Sequence, residues 1–354
     1  MKPILSLATH LFVPVFMLDV CLAAFPILFS ENFDIDSTAN WNDNAGVGFD
    51  INDPNFPPAP MDSEANFFFD YSSVGIPSAP NSTGGSTLGM KLQANLTSNS
   101  FGGFSVSPTG QSFSSDYSIT FDAWSSSIGP FPFGASGSTN SSTFGLLTSG
   151  TVSNVPLNTD GVWFSYTGDG GTTADYRVYS SERDFSYQLP IVDLVDMHAT
   201  HHAGTRDGTG QLYLDAIGDP NNNLLTVPQS VIDANPLADL SGQLFSGAAG
   251  FQWHQHEIRK VGNTVEWFLN GFLLITLDTG DFAVPTGGNN ILFGHFDNNF
   301  LSSTDANKEE LLFSLVDNVV VTSLIPEPAS ALLVGLGIMA AAAVRPSRLA
   351  LAKN

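Results

Sequence analysis

Residues 251–277 read FQWHQHEIRKVGNTVEWFLNGFLLITL, and no other stretch restricts the fold as tightly. Asn270-Gly271 fits a two-residue type I′ turn, which needs positive φ at both central positions. Gly262-Asn263 upstream fits a second tight turn. Two such turns predict a three-stranded antiparallel meander and set its register: Val261 faces Thr264, Ile258 faces Trp267, Leu269 faces Phe272 and Trp267 faces Leu274. Arg259 then faces Glu266, an opposite-charge cross-strand pair that suits this register. One face collects Ile258, Val265, Trp267, Leu269, Phe272 and Leu274 and is predicted to be buried.

Further strands are predicted at Tyr117–Trp124, Thr143–Leu147, Gly161–Tyr166, Asp175–Tyr179, Gln211–Ile217, Asn290–Phe296 and Leu311–Thr322, with Gly, Pro, Asn and Ser between them. Pro130–Ser142 and Asn221–Ala238 read as loops. The body has no long segment with an apolar period of 3.6, so long amphipathic helices are excluded. No repeat of constant period is present, which argues against a propeller or β-helix. Short strands with frequent turn signals predict an all-β, two-sheet antiparallel sandwich or jelly roll over residues 25–323.

The chain carries 34 acidic and 11 basic residues, a net charge of -23. Residues 25–325 hold 32 acidic against seven basic residues, a balance of -25. That field repels phosphates and anionic lipid, so nucleic acid is excluded as a partner. Ca²⁺ suits carboxylate and amide oxygens, while acidity serves solubility equally well.

The N-terminus, MKPILSLATHLFVPVFMLDVCLAAFP, places Lys2 before an apolar stretch and Ala23-Ala24 after it. This is the layout of a secretory signal over residues 1–24; the alternative is a buried first strand. Cys21 is the only cysteine and is preceded by Asp19-Val20, not the small residues that a lipidated cysteine needs. Cleavage after Ala23 or Ala24 leaves no cysteine and therefore no disulfide. At the other end, Ala329–Val344 is a 16-residue run without charge, followed by Arg345 and Arg348. It is marginal in length for a transmembrane helix over 329–344, and the arginines orient residues 349–354 to the cytoplasm with the body outside. Pro326 and Pro328 end the preceding strand, because proline cannot extend a ladder.

Pro326-Glu327-Pro328, the Leu- and Gly-rich segment with Gly335 and Gly337, and the arginines follow in order over 324–348. Together they resemble the PEP-CTERM sorting signal of bacterial exported proteins, with a thinner arginine cluster than usual. The resemblance implies an exosortase-type membrane enzyme as partner, cleavage near Pro-Glu-Pro, and a place at the cell surface or in a polysaccharide biofilm matrix. The 253–271 segment is similar to the meander of concanavalin A-like, laminin-G-type jelly rolls. Glu31-Asn32-Phe33-Asp34, Trp41-Asn42 and Val316-Asp317-Asn318-Val319-Val320-Val321 also resemble segments of such domains and of galactose-binding-like jelly rolls.

Candidate chemistry is sparse. His198, His201 and His202 crowd a Gly- and Thr-rich stretch and read as a polar loop more than a metal site. His254 and His256 share the apolar face of Ile258 and Trp267 and read as core histidines. Concanavalin-type retaining hydrolases carry alternating carboxylates on one strand, and none of the predicted strands contains Glu-x-x-Asp or Glu-x-Asp-x-x-Glu. Glu309-Glu310, adjacent, and Asp193 and Asp196, three apart, diverge if extended. The sequence also lacks a serine elbow and a phosphate-binding glycine loop. The likeness to Ca²⁺-binding jelly rolls implies that Glu31 or Asp34 joins Asp317 around Ca²⁺; the alternative is that these aspartates cap turns. Sugar stacking needs exposed aromatics; Trp163, Tyr166, Tyr176, Tyr179, Trp253 and Phe268 are available, and Trp253 and Phe268 fall opposite the predicted core face. The sequence thus predicts an exported, non-catalytic surface or matrix protein that binds polysaccharide. Its alternatives are a Ca²⁺-stabilised structural or adhesive module and a polysaccharide-degrading enzyme.

Overall fold

The computed structural model describes residues 25–49, 58–60, 62–94, 101–126, 140–155, 158–168, 176–180, 225–226, 228–234, 243–244, 249–282, 285–297 and 312–325. The chain divides into two compact units, Ile27–Ile325 and the combined termini Met1–Pro26 and Pro326–Asn354. The predicted signal segment, the Pro326-Glu327-Pro328 motif, helix 329–344 and Arg345 and Arg348 lie outside the described residues. So do strand Gln211–Ile217 and the cluster His198, His201 and His202. Among the described residues no helix is long and apolar enough to cross a membrane.

The larger unit is built of strands. In chain order they are β1 (Ile27–Glu31), β2 (Trp41–Phe49), β3 (Pro58–Pro60), β4 (Ser63–Asp70), β5 (Leu88–Ala94), β6 (Phe101–Pro108), β7 (Tyr117–Ser125), β8 (Asn140–Thr148) and β9 (Val162–Thr167). They continue with β10 (Tyr176–Tyr179), β11 (Leu225–Thr226), helix α1 (Gln229–Ala234), β12 (Gln243–Leu244), β13 (Trp253–Val261), β14 (Thr264–Leu269), β15 (Phe272–Asp278), β16 (Asn290–Asp297) and β17 (Ser314–Ser323). The first sheet runs β15-β14-β13-β7-β17-β5-β4, with β1 also on β17; the second runs β10-β9-β8-β16-β6-β2-β3. Within both sheets every paired strand is antiparallel.

The two sheets pack face to face. Phe121 of β7 meets Phe144 of β8 at 4.8 Å and Phe293 of β16 at 5.0 Å between ring centroids, both edge to face. Such aromatic pairs contribute about 0.5–1.5 kcal/mol beyond the area they bury. On the outer face of the first sheet, Tyr71, Ile76, Trp124, Val231 of α1, Phe251, Phe313 and Leu315 form a second, smaller core. The sequence is thus a two-sheet antiparallel β sandwich.

The predicted meander forms. Asn270 and Gly271 have φ of 49° and 83°, as type I′ requires, and Gly262 has φ 57° at the first position of its turn. Val261 pairs with Thr264, Ile258 with Trp267, Arg259 with Glu266 and Leu269 with Phe272, as predicted. Trp267 instead pairs with Ile275, because a bulge separates Trp267 from Phe268 in the β14–β15 ladder. The extra residue, Leu274, shifts the face of β15 beyond it, so Leu274 and Ile275 are both buried, whereas Phe272, before the bulge at the hairpin's end, pairs as predicted and is 40% exposed. Phe272 is therefore not a core residue. Arg259 forms its ion pair with Glu257, two residues along its own strand at 2.6 Å, rather than with Glu266. Residues i and i+2 of a strand share a face, and the Arg259 guanidinium also lies 4.3 Å over Phe268.

Two predicted loops are partly structured. Asn140–Ser142 open β8, and β11 and α1 lie within 221–238. The six strands β1 to β6 went unpredicted, since β2 (WNDNAGVGF) is polar and β5 (LGMKLQA) lacks β-branched residues. Gly271→Ala is expected to reduce stability by about 1 kcal/mol, the cost of left-handed backbone for a residue with Cβ. The readout is a lower urea midpoint with unchanged slope; an unchanged midpoint would contradict the type I′ turn.

Candidate functional site

Strand β17 organises the outer face of the first sheet. One of its edges pairs with β7; the other is shared by β5, at Ser314–Val316, and β1, at Val319–Thr322. Between them the β7–β17 ladder slips between Asp317 and Val320, and Asn318 sits at φ 54°. Asparagine tolerates this left-handed position better than most residues. The bulge turns Asp317 and Asn318 toward the loop that joins β4 to β5.

Asp122 of β7 and Asp317 are Cα partners and both are buried. Asp122 accepts hydrogen bonds from the Asn81 backbone N–H (3.0 Å), Asn81 Nδ2 (2.8 Å) and Asn318 Nδ2 (2.9 Å). Asp317 accepts from the Asn318 backbone N–H (2.7 Å), the Ser82 hydroxyl (2.9 Å) and the Tyr71 hydroxyl (3.1 Å). The Tyr71 hydroxyl also accepts the Ala79 N–H. The β4–β5 loop is thus tied at Tyr71, Asn81 and Ser82 to two carboxylates of the sheet.

Above these carboxylates is a pocket of about 510 Å³. Its polar walls are Ser30, Glu31 and Asn32 from the end of β1, Asn81 and Thr83 from the β4–β5 loop, Thr120 of β7, Gln255 of β13 and Asn318 of the bulge. Trp253, Gln255, Glu257 and Arg259 alternate with the inward His254, His256 and Ile258 on β13, so Trp253 shares the outer face with Gln255. Trp253 packs edge-on against Tyr71 at 5.1 Å and donates its indole N–H to Pro77 O at 2.8 Å. Phe268 pairs with Glu257, about 13 Å along the strand from Trp253, with its ring under Arg259. Trp253 is therefore the predicted aromatic beside the pocket, and Phe268 lies apart from it. Trp163, Tyr166, Tyr176 and Tyr179 are buried.

The three predicted carboxylates are placed differently. β1 and β17 do bring the chain ends together, with Glu31 paired to Val319. Asp317, however, is occupied by Tyr71, Ser82 and Asn318, while Asp34 caps its own turn through Asn32 Nδ2 at 2.6 Å. Glu31 accepts the Phe33 N–H at 3.0 Å and is the pocket's carboxylate. Among the described residues no group of three or more His, Cys, Asp or Glu is arranged to hold a metal. Asp122, Asn81, Asn318 and Gln255 were not singled out from the sequence. The available signal was Asp122 as the one charged residue of the predicted strand YSITFDAW.

The histidines of β13 are core groups, as predicted. Asn270 Nδ2 donates to His254 Nδ1 at 3.0 Å, so His254 Nε2–H donates to Ala249 O at 3.1 Å. His256 Nδ1 accepts the Trp267 indole N–H at 3.1 Å, and its ring lies parallel to Phe121 at 5.3 Å. His295 Nδ1 meets the Ser314 hydroxyl at 2.8 Å, linking the two sheets. Burial pushes His254 down to about 4 and His295 to about 3. Burial, with His254 nearby, holds His256 well below the ordinary value.

Asp317 shifts the other way. Burial is the main cause that pushes its carboxyl up to about 6, and Asp122 adds to the rise against the hydrogen bonds that lower it. The neutral histidines bind protons less readily folded than unfolded, so their stabilisation holds above about 6.5 and is lost as pH falls. Asp317 takes up its proton more readily folded, so its cost is present above about 6 and is relieved as pH falls toward 4. Three groups outweigh one, and thermal midpoints are expected to drop from pH 7 to pH 4. Asp317→Asn is expected to make that drop steeper; a shallower drop would contradict a raised carboxyl at this position.

No protein-family model and no curated protein matches the chain. Matching solved structures include a Bacillus subtilis protein of unknown function with a galectin-like fold, 7% identical, at TM-score 0.35 over 86% of this chain and 100% of that one. A Bacillus licheniformis β-glucanase is 11% identical at TM-score 0.30 over 84% and 98%. An endo-acting O-glycanase of the human gut microbiota is 11% identical at TM-score 0.39 over 85% and 100%. Likenesses this distant carry no functional argument, and the sandwich is read from its own strands and core.

Proposed function

We propose that this chain is an exported, non-catalytic cell-surface or matrix protein whose jelly-roll domain, of the concanavalin A-like type, binds polysaccharide at the outer-face pocket. The observation that carries the reading is a pocket of about 510 Å³ walled by one carboxylate, four amide side chains and hydroxyls, with Trp253 beside Gln255 on the same strand face. Sugar recognition uses this combination of hydrogen-bonding groups and an aromatic surface. Glycoside cleavage needs two carboxylates roughly 5–9.5 Å apart on either side of the scissile bond. Among the described residues the pocket offers Glu31 alone, while Asp122 and Asp317 are buried under its floor with donors on both. The Pro326-Glu327-Pro328 motif, the apolar segment and Arg345 and Arg348 serve as the sorting signal, read by an exosortase-type enzyme.

The test is a glycan panel probed with the purified protein, with Ca²⁺ and with chelator. Binding of a defined polysaccharide is expected, weakened roughly tenfold or more in Gln255→Ala at unchanged melting temperature, and also in Trp253→Ala, which loses its packing on Tyr71 and is compared at a temperature where it is folded. Absence of binding across the panel sinks the reading. Binding that disappears with chelator would assign Ca²⁺ to the site.

A further inference from the structure

Resting on that reading, we infer that the pocket selects neutral, hydroxyl-donating glycans over anionic ones, and that the buried Asp122 is the positioning residue behind this selectivity. An amide side chain offers a donor end and an acceptor end, and the network decides which end the ligand meets. Facing a carboxylate, only the NH₂ end is favourable, since a carbonyl oxygen there would set acceptor against acceptor. Asn81 and Asn318 both give Nδ2 to Asp122, at 2.8 and 2.9 Å. Asn318 Nδ2 also reaches the Ser82 hydroxyl at 3.2 Å, so both of its protons are used beneath the pocket.

The carbonyl ends of two wall amides are consequently left for the ligand. Glu31 adds a carboxylate, which only accepts. Among the described residues the pocket walls hold no Lys, Arg or His. A neutral sugar presents hydroxyl protons to such acceptors. A uronate or sulfate ester presents more acceptor oxygens and a negative charge, and meets Glu31 over two buried aspartates in a body of strongly negative charge. Like charges brought together in a site oppose binding, and this discriminates between ligands more than it adds affinity.

The experiment uses one glycan backbone in two forms: a neutral glucan that binds the intact protein, and the same glucan oxidised at C6 to carboxylate. The neutral form is expected to bind roughly tenfold or more tightly, and added salt to narrow the gap because part of the exclusion is Coulombic. Equal binding, or tighter binding of the oxidised form, overturns the inference while leaving the glycan site standing. If no neutral glycan binds the intact protein, the reading on which the inference rests is overturned instead.

Asp122→Asn supplies the readout that a purely structural role would not move. An amide at 122 permits its neighbours to turn, so the ratio of neutral to oxidised affinity is expected to contract, whatever the change in stability. Where that variant does not fold, Glu31→Gln, at a partly exposed position, removes the one carboxylate of the wall and is expected to raise affinity for the oxidised glucan severalfold. An unchanged ratio in Asp122→Asn refutes the assignment to Asp122, and an unchanged ratio in Glu31→Gln refutes the exclusion of anionic glycans by the wall.

Discussion

Two carboxylates lie side by side in the middle of the first sheet, and much of its outer face follows from how they are accommodated. Burying an ionised group is costly unless hydrogen bonds replace the lost water, and two acids on paired strands double the demand. Asp122 and Asp317 meet it with three donors each. Those donors come from the β4–β5 loop and from the bulged Asn318. The loop is therefore held less by apolar contact than by the need to solvate two charges. Removing the donors would leave buried anions exposed to one another, which links loop conformation to sheet integrity.

The interior between the sheets shows the same economy with neutral groups. Its histidines are deprotonated and each is given a partner: Asn270 and Ala249 for His254, the Trp267 indole for His256, Ser314 for His295. His256 sits among Phe121, Phe144, Tyr166 and Trp267 within about 6 Å ring to ring, acting as one more flat ring in an aromatic core. Polar atoms in this core restrict how its neighbours can pack, although His256 Nε2 is buried without a hydrogen-bond partner.

Sequence made the hairpins legible because turn chemistry is local: Asn270-Gly271 and Gly262-Asn263 each specify positive φ within two residues, and the pairings next to them followed. It failed at β15, where a bulge after Leu273 changed the register and buried Ile275 beside Leu274, and where Phe272, paired with Leu269 as predicted at the hairpin's end, is exposed. The pocket was hardest to see. Glu31, Asn81, Thr120, Gln255 and Asn318 come from five separate segments; Glu31 and Asn318 lie in the opening and closing segments that carry the resemblance, but nothing in the sequence joins them to Asn81, Thr120 or Gln255. Asp317 was singled out from its closing segment, yet its partner Asp122 lies 195 positions earlier in the chain. A through-space pair of that kind leaves no spacing to read.

Strand β17 has a consequence for when this protein can fold. It pairs with β7, β5 and β1, and it is the last strand of the sandwich to leave the ribosome. Until it arrives, β7 and β5 each lack a neighbour and β1 has no partner at all, so the first sheet exists only as fragments. Contacts this distant along the chain close slowly, because the loop entropy must be met before any pairing rewards it. The first sheet consequently cannot close before β17 has been made, however early its other strands are complete.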